Sequence, residues 1–151
     1  MAVRELMTRD PEACLPDDPC TVAGQIMQRR RCGFVPVVDG QETKRVVGVV
    51  TDRDIALYLC QAQEAASRVP VRLCMVTAVH ATTPEATLEE AAQAMETGAV
   101  HQLPVLDQGR LVGVLALKDI ALAAKRQWAS AGPHVVERQM ADILEAIAAA
   151  R

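Results

Sequence analysis

The hydrophobic and polar positions of the chain form a pattern that occurs twice. Short apolar patches at 13–15 and 79–81 are each followed by a turn holding Pro16 or Pro84, and then by a stretch with helical spacing. In the second copy Thr87 stands three residues before Glu90, the spacing of a capping box, so a helix is predicted to open there. Leu88, Ala91, Ala92 and Met95 recur on one face of it and predict its buried side. Gly98 is expected to end this helix as a C′ residue, and Gly33 to end its counterpart in the first copy. Two β-branched runs come next in each copy, 35–38 with 46–50 and 103–106 with 111–115. A polar turn joins each pair, so each reads as a hairpin. A second helix starts after Thr51 or Ala116. The predicted order is β-α-β-β-α, twice.

The repetition extends to residue identity. VRELM at 3–7 returns as VRLCM at 71–75, and VPVVD at 35–39 returns as LPVLD at 103–107. At this offset of 68, eleven of the 37 pairs from residue 3 to 39 are identical. The segment GQETKR is three residues longer than QGR, which lowers the offset to 65 thereafter. RVVGVVTDRDIAL at 45–57 then matches RLVGVLALKDIAL at 110–122 at eight of 13 positions. One structural unit therefore occurs twice. The boundary is placed near Pro70, which interrupts helical continuation. The expected division is 1–68, 69–131 and a tail of 132–151. A unit of this size buries a marginal core alone. The two are therefore expected to pack pseudo-symmetrically and share a cleft, a favoured place for a ligand.

The tail repeats neither unit. Pro133 suits a helix start, and Val136, Met140, Ile143 and Ile147 follow at spacings of 4, 3 and 4, which predicts an amphipathic helix. Two uses stand open for it: packing on its own domain, or contacting a second copy or a partner.

Composition narrows the function classes. The 151 residues are 50% hydrophobic and 23% charged, with a net charge of −3. Nucleic acid is not an expected partner, because phosphate neutralisation needs clustered positive charge. No apolar run approaches a membrane span. The start, MAVRELMTRDPEA, has no apolar core of a secretory signal, so a cytoplasmic location is expected. Five cysteines without CxxC spacing fit neither a disulfide framework nor a zinc site. They are expected to be small core residues, with a metal or redox role for Cys14 and Cys20 as the alternative. No metal site is predicted. The chain has no GxSxG, HExxH, Walker A or GxGxxG motif, and no catalytic residue is assigned. Binding is favoured over catalysis.

The segment GVVTDRD at 48–54 carries the chemistry. A strand ends at Thr51 and a helix begins at once, with Asp54 in its first turn. Helix N-termini present unpaired N–H groups and a positive dipole end, which suits phosphate. The Thr51 hydroxyl can donate to a phosphate oxygen. The Asp54 carboxylate can accept from both hydroxyls of a ribose diol. Gly48 in the strand permits close approach of another group. The competing reading is a capping box, with Thr51 as N-cap and Asp54 at N3, contributing about 1 kcal/mol to the helix. The second copy reads Ala116-Leu117-Lys118-Asp119, keeping the acid and losing the hydroxyl. A cap alone would be expected to keep the Thr and drop the Asp, which favours a ligand role at Asp54. At Asp119 a helix-dipole role competes strongly.

Two β-α-β-β-α copies, each with an h-P-V-h-D strand and a G-h-h-[T]-x-x-D junction, resemble a tandem cystathionine-β-synthase (CBS) domain pair, or Bateman module, of the stand-alone bacterial type. The resemblance covers about residues 3–125. It implies an α/β (α+β) fold with two packed CBS units. It also implies a regulatory module, not an enzyme, that senses an adenine nucleotide or related adenosyl compound in the cleft and relays this to an effector protein. AMP, ADP or ATP are the implied ligands, with S-adenosylmethionine or NADH as further options and no required cofactor. The family's ribose-binding acid falls on Asp54 and Asp119, and its phosphate-contacting hydroxyl on Thr51. His101 falls where a basic residue faces the phosphate of the partner unit's site. Gln102, Phe34, Arg53 and Lys118 are secondary positions around the same sites, with core filling as the competing role for Phe34. Ala116 departs from the pattern, so the site served by Thr51, Asp54 and His101 is expected to bind more tightly than the one served by Asp119. The Arg29-Arg30-Arg31 run reads as favourable charge at a helix C-terminus, with one of the three reaching a phosphate as the alternative. A homodimer is implied, and the helix residues Ile55, Leu59, Ala62, Ile120, Ala123 and Ala124 are expected to form its contact. The alternative function is a ligand-free dimerisation or docking scaffold.

Overall fold

The computed structural model describes residues 1–131 and Glu145; Glu145 apart, the amphipathic tail helix expected over 132–151 lies outside the described residues. The element order is β1 (Thr8–Arg9), α1 (Cys20–Arg30), β2 (Phe34–Val38), β3 (Val46–Thr51), α2 (Asp52–Ala62), α3 (Leu88–Gly98), β4 (Gln102–Asp107), β5 (Arg110–Ala116) and α4 (Leu117–Ala131). Both predicted hairpins are present, as β2-β3 and β4-β5. α3 opens at the predicted capping box, where Thr87 Oγ1 accepts from Glu90 N and the Glu90 carboxylate accepts from Thr87 N. Ala91 and Met95 are its buried residues.

The first strand of each copy is shorter than the pattern predicts. Cys14 makes a single parallel bridge to Val37, and Thr82 makes the equivalent bridge to Val105. The ladder stops there because the chain turns at the prolines. The Pro16 and Pro84 carbonyls are taken by the backbone N–H groups of Arg72 and Arg4.

The helix ends also differ from expectation. Gly33 and Gly98 do not supply the left-handed residue; Arg31 (φ 51°) and Ala99 (φ 50°) do. Such a conformation costs a residue with a Cβ about 1 kcal/mol, and here it lets Arg31 N reach Met27 O and Ala99 N reach Glu96 O. The glycines answer a different need. A Cβ on Gly33 would sit 2.7 Å from the Asp52 carboxylate, and one on Gly98 would sit 2.6 Å from the His80 ring.

The chain forms two compact units that cut across the sequence repeat. One contains Pro11–Val79 with Gln108–Leu111; the other contains Met1–Asp10, His80–Asp107 and the described residues from Val112 onward. The leading VRELM and VRLCM segments are thus exchanged. In the second-hairpin unit Val3 N donates to Ala86 O and Arg4 N to Pro84 O. In the first-hairpin unit Val71 N donates to Asp18 O and Arg72 N to Pro16 O, the same bonds 68 residues on. Val3 and Val71 are both fully buried, each in the core of the unit it joins. Past this turn, Thr8 of β1 pairs with Val114 of β5, and Val76 bridges Val49 of β3.

This docking accounts for Gly48 and Gly113. A Cβ on Gly48 would lie 3.0 Å from both Met75 Sδ and Val76 O. On Gly113 it would lie 2.7 Å from Met7 Sδ and 3.0 Å from Thr8 O. The group whose close approach Gly48 permits is therefore the exchanged segment.

The first-hairpin core gathers Ala23, Ile26 and Met27 of α1 with Val35, Val37 and Val50, closed by Val69, Val71 and Cys74. The second gathers Ala91 and Met95 with Leu103, Val105 and Leu115, closed by Val3, Ile120 and Ala124. Burial of α4 corrects one expectation: Ile120 and Ala124 belong to the core of their own unit, and Ala123 is buried too, so none of the three is surface. The helices instead expose Leu57 (56%) and Leu122 (54%), which occupy matching positions in the repeat. α2 has no buried residue at all.

Candidate functional site

The strand–helix junction of the first-hairpin unit is built by β3 running directly into α2. Thr51 keeps extended backbone (φ −112°, ψ 160°), and helical geometry begins at Asp52. Thr51 Oγ1 accepts from Asp54 N at 3.1 Å, and Asp54 Oδ2 accepts from Thr51 N at 3.1 Å. The pair is a reciprocal capping box. Both side chains are half-buried. Phe34 is the cross-strand partner of Thr51, and Asp52 N donates to Gly33 O at 3.0 Å, so Phe34 and the junction form one cluster. Phe34 is buried to 9% exposure and acts as packing in the first instance. Arg53 is exposed in the first turn of α2.

The second junction repeats the frame with one part missing. Asp119 Oδ2 accepts from Ala116 N at 2.9 Å, and Leu117 N donates to His101 O at 2.8 Å. The sequence argument that a cap would drop the acid first fails here. Asp119 caps the helix without any hydroxyl partner, because a carboxylate at N3 satisfies the N-cap N–H by itself. The acid in both copies thus has a structural role whatever else it does. His101 and Lys118 are exposed, and Gln102 is half-buried at the start of β4. His101 stands beside the Asp119 junction of its own unit, whereas Thr51 and Asp54 belong to the other unit.

What the two acids leave open is chemically specific. Each uses Oδ2 for its cap, and Oδ1 accepts no hydrogen bond from a described residue. A carboxylate held at one oxygen and open at the other is an oriented acceptor for a hydroxyl or amine donor. The first turn of α2 adds a positive dipole end beside it. Three carboxylates and a hydroxyl (Asp52, Asp54, Asp119 and Thr51) thus occupy the two helix starts, and the sequence reading missed one of them. Asp52 Oδ1 accepts from Arg53 N at 2.8 Å, and its carboxylate lies over Gly33. Leu117 replaces it in the second copy, which makes the two junctions differ by a charge as well as by the hydroxyl.

Cysteine placement differs from the pairing considered from sequence. Cys14 donates to Pro36 O at 3.9 Å, and burial pushes its thiol up to about 12. The neighbour of Cys20 is Cys74, with sulfurs 3.5 Å apart. Among the described residues no group of three His, Cys, Asp or Glu is arranged to hold a metal. No described helix is long and apolar enough to cross a membrane.

The sequence profile of the CBS domain matches residues 3–60 and again 67–126. The CBS domain-containing protein YhcV of Bacillus subtilis is 35% identical over 121 residues, which span 80% of this chain and 84% of that protein. Inosine-5'-monophosphate dehydrogenase of Staphylococcus epidermidis is 28% identical over 125 residues, but the match spans 25% of the enzyme's length. Among solved structures, the CBS domain pair of protein MJ0100, in complex with 5'-methylthioadenosine and S-adenosyl-L-methionine, matches with a TM-score of 0.74 at 21% identity, over 84% of this chain and 98% of that one. Two profile matches in tandem, a relative of nearly equal length and a twice-repeated helix–hairpin–helix fold lead to one conclusion: the chain belongs to the CBS domain family and carries two CBS repeats.

Proposed function

We propose that this chain is a regulatory module that binds an adenine nucleotide or related adenosyl compound at its strand–helix junctions and relays occupancy to an effector protein. The observation that carries the reading is the junction acid itself. Asp54 and Asp119 are each anchored by one oxygen and open at the other, at the start of a helix. That arrangement suits a ribose hydroxyl, and the dipole end suits a phosphate. The CBS domain pair of MJ0100, which shares the fold, is in complex with two adenosyl compounds. Thr51, Asp54 and Phe34 would make the stronger site, with Arg53 at its rim. Asp119, with Lys118 beside it, would make the weaker one. No catalytic role is assigned to any residue, and the proposed setting is the cytoplasm.

A second reading has its own support. The capping box at Thr51 is complete without a ligand, and Leu57 and Leu122 are exposed on helices of both units. In that reading the chain is a homodimerising or docking scaffold, and these leucines belong to its contact. A thermal-shift and calorimetric panel with AMP, ADP, ATP, S-adenosylmethionine and NADH separates the two. A ligand at 100 times its Kd stabilises by about 2.7 kcal/mol. A shift of that order with at least one compound is expected. No shift and no heat with any of the five would overturn the nucleotide reading and leave the scaffold.

A further inference from the structure

Cys20 and Cys74 are 54 positions apart in sequence, yet their sulfurs lie 3.5 Å apart in the core of the first-hairpin unit. Cys20 opens α1, and Cys74 ends the turn Val71–Leu73 of the exchanged segment. The residues between them and their neighbours are tied together by short backbone bonds, Cys20 N to Val69 O and Val71 N to Asp18 O, both at 2.8 Å. The repeat supplies an internal control. The positions equivalent to Cys20 and Cys74 in the other unit are Leu88 and Leu6, so the same place in the fold is served by an apolar pair. Packing alone does not require sulfur there. The remaining cysteines have other surroundings: Cys14 and Cys32 donate to backbone carbonyls, and Cys60 is exposed.

We propose that Cys20 and Cys74 form a redox latch, a disulfide that closes by exchange with a small-molecule disulfide and pins the exchanged segment to the start of α1. In the first step one cysteine thiolate attacks a sulfur of the small disulfide. An S–S bond forms to the protein, and one small thiolate leaves and takes up a proton. In the second step the other cysteine attacks the protein-bound sulfur. The Cys20–Cys74 bond forms, and the second small thiol leaves with the remaining proton. Two protein thiols are oxidised and one small disulfide is reduced to two thiols. Closing the gap needs the sulfurs to approach from 3.5 Å to about 2.05 Å.

Exchange is gated by the segment's own motion. Cys20 is 1% exposed and Cys74 8%. Burial holds both thiols above their ordinary range, Cys74 at about 12. The closed form is therefore unreactive, and the thiolate becomes available when residues 69–76 lift away. The latch also lies beside the junction acid. The negative charge of Asp54 is one of the influences that raise the Cys74 thiol, and Val76 pairs with Val49 two residues before Thr51. The inference does not depend on the nucleotide reading.

The test uses the full chain, reduced and then incubated with glutathione disulfide. Free thiols are blocked by alkylation, and the proteolytic peptides are read by mass spectrometry without reduction. The expected result is a Cys20–Cys74 cross-link as the main oxidised product, faster in mild denaturant. The melting temperature should rise by several degrees without reductant and fall back when reductant is added. A Cys20→Leu/Cys74→Leu double variant, which copies the pair in the other unit, should fold and lose that redox dependence. Modification confined to Cys60 or Cys32, with Cys20 and Cys74 alkylated only after denaturation, would overturn the latch. A cross-link that forms with no change in melting temperature would overturn it too.

Discussion

Replacing Asp54 by Asn and by Ala separates the two roles of that side chain. The Ala variant removes the acceptor for Thr51 N, a half-buried hydrogen bond at 3.1 Å. That costs about 0.5–1.5 kcal/mol, and losing a negative charge from the first helical turn costs about 0.3–1 kcal/mol more. The Asn variant keeps an amide oxygen for Thr51 N and loses only the charge, so its cost is about 0.3–1 kcal/mol. The stability order expected from urea denaturation is wild type, then Asn, then Ala. Binding should follow a different order, because a ribose hydroxyl depends on the charged acceptor that both variants lack. One charge-assisted bond is worth roughly 1.5–3 kcal/mol, so both variants should bind at least tenfold more weakly. The ligand concentration that is 100 times the wild-type Kd would then be 10 times theirs. Stabilisation by ligand would fall from about 2.7 to about 1.4 kcal/mol. Calorimetry and ligand-induced melting shifts read both quantities on the same samples. An Asn variant that binds as wild type does, with the Ala variant merely less stable, would show that Asp54 is a cap and nothing more.

The glycines at the exchanged segments give a second prediction. Gly48→Ala and Gly113→Ala each push a Cβ to 3.0 Å from a backbone carbonyl, so each should lose about 1–3 kcal/mol, seen as a lower urea midpoint at unchanged slope. Gly24→Ala, with nothing within 4 Å of the new carbon in the middle of α1, should instead gain about 0.5–1 kcal/mol; equal effects at all three sites would refute the docking argument. Glu12 bridges Arg29 and Arg30 at 2.8 Å each, and these hydrogen bonds hold its carboxyl below its ordinary value of 4.5. A depressed folded-state pKa means the contribution is present above the ordinary value and lost as pH falls through the lower one; stability should therefore drop below about pH 4.5, and Glu12→Gln should flatten that part of a melting-temperature profile. Light scattering should report twice the mass of one chain, and Leu57→Glu with Leu122→Glu should return it to the mass of one; an unchanged dimer would place the contact elsewhere.

The parts legible from sequence were those set by local spacing. Short β-branched runs joined by polar turns specify both hairpins, and Thr87 with Glu90 specifies the start of α3 to the residue. The repeat located the two junctions because it aligned Asp54 with Asp119. Other features depend on choices that spacing does not record. VRELM and VRLCM make the same bonds in either unit, so nothing in the motif says which hairpin it joins. Arg31 and Ala99 take left-handed geometry that glycine would adopt more easily, while Gly33 and Gly98 lie against the side chains of Asp52 and His80. The Asp119 cap was misjudged because the acid was treated as the dispensable half of a capping box. Cys74 was missed as the neighbour of Cys20 because the exchange that brings them together was itself hidden.

The exchanged arms bear on how such a chain can arise and be divided. A polypeptide with one repeat has an arm that fits the hairpin of an identical polypeptide as well as its own, so two copies trading arms would assemble only at sufficient concentration. Duplication within one gene makes that trade intramolecular, at an effective concentration in the millimolar range for a short tether. Folding then no longer depends on how much protein is present. A cut at the repeat boundary would undo this. The fragment 1–68 would carry the arm of the other unit and lack residues 69–76, which close its own core. Neither half should fold alone, and mixing the two should restore structure in proportion to their concentrations.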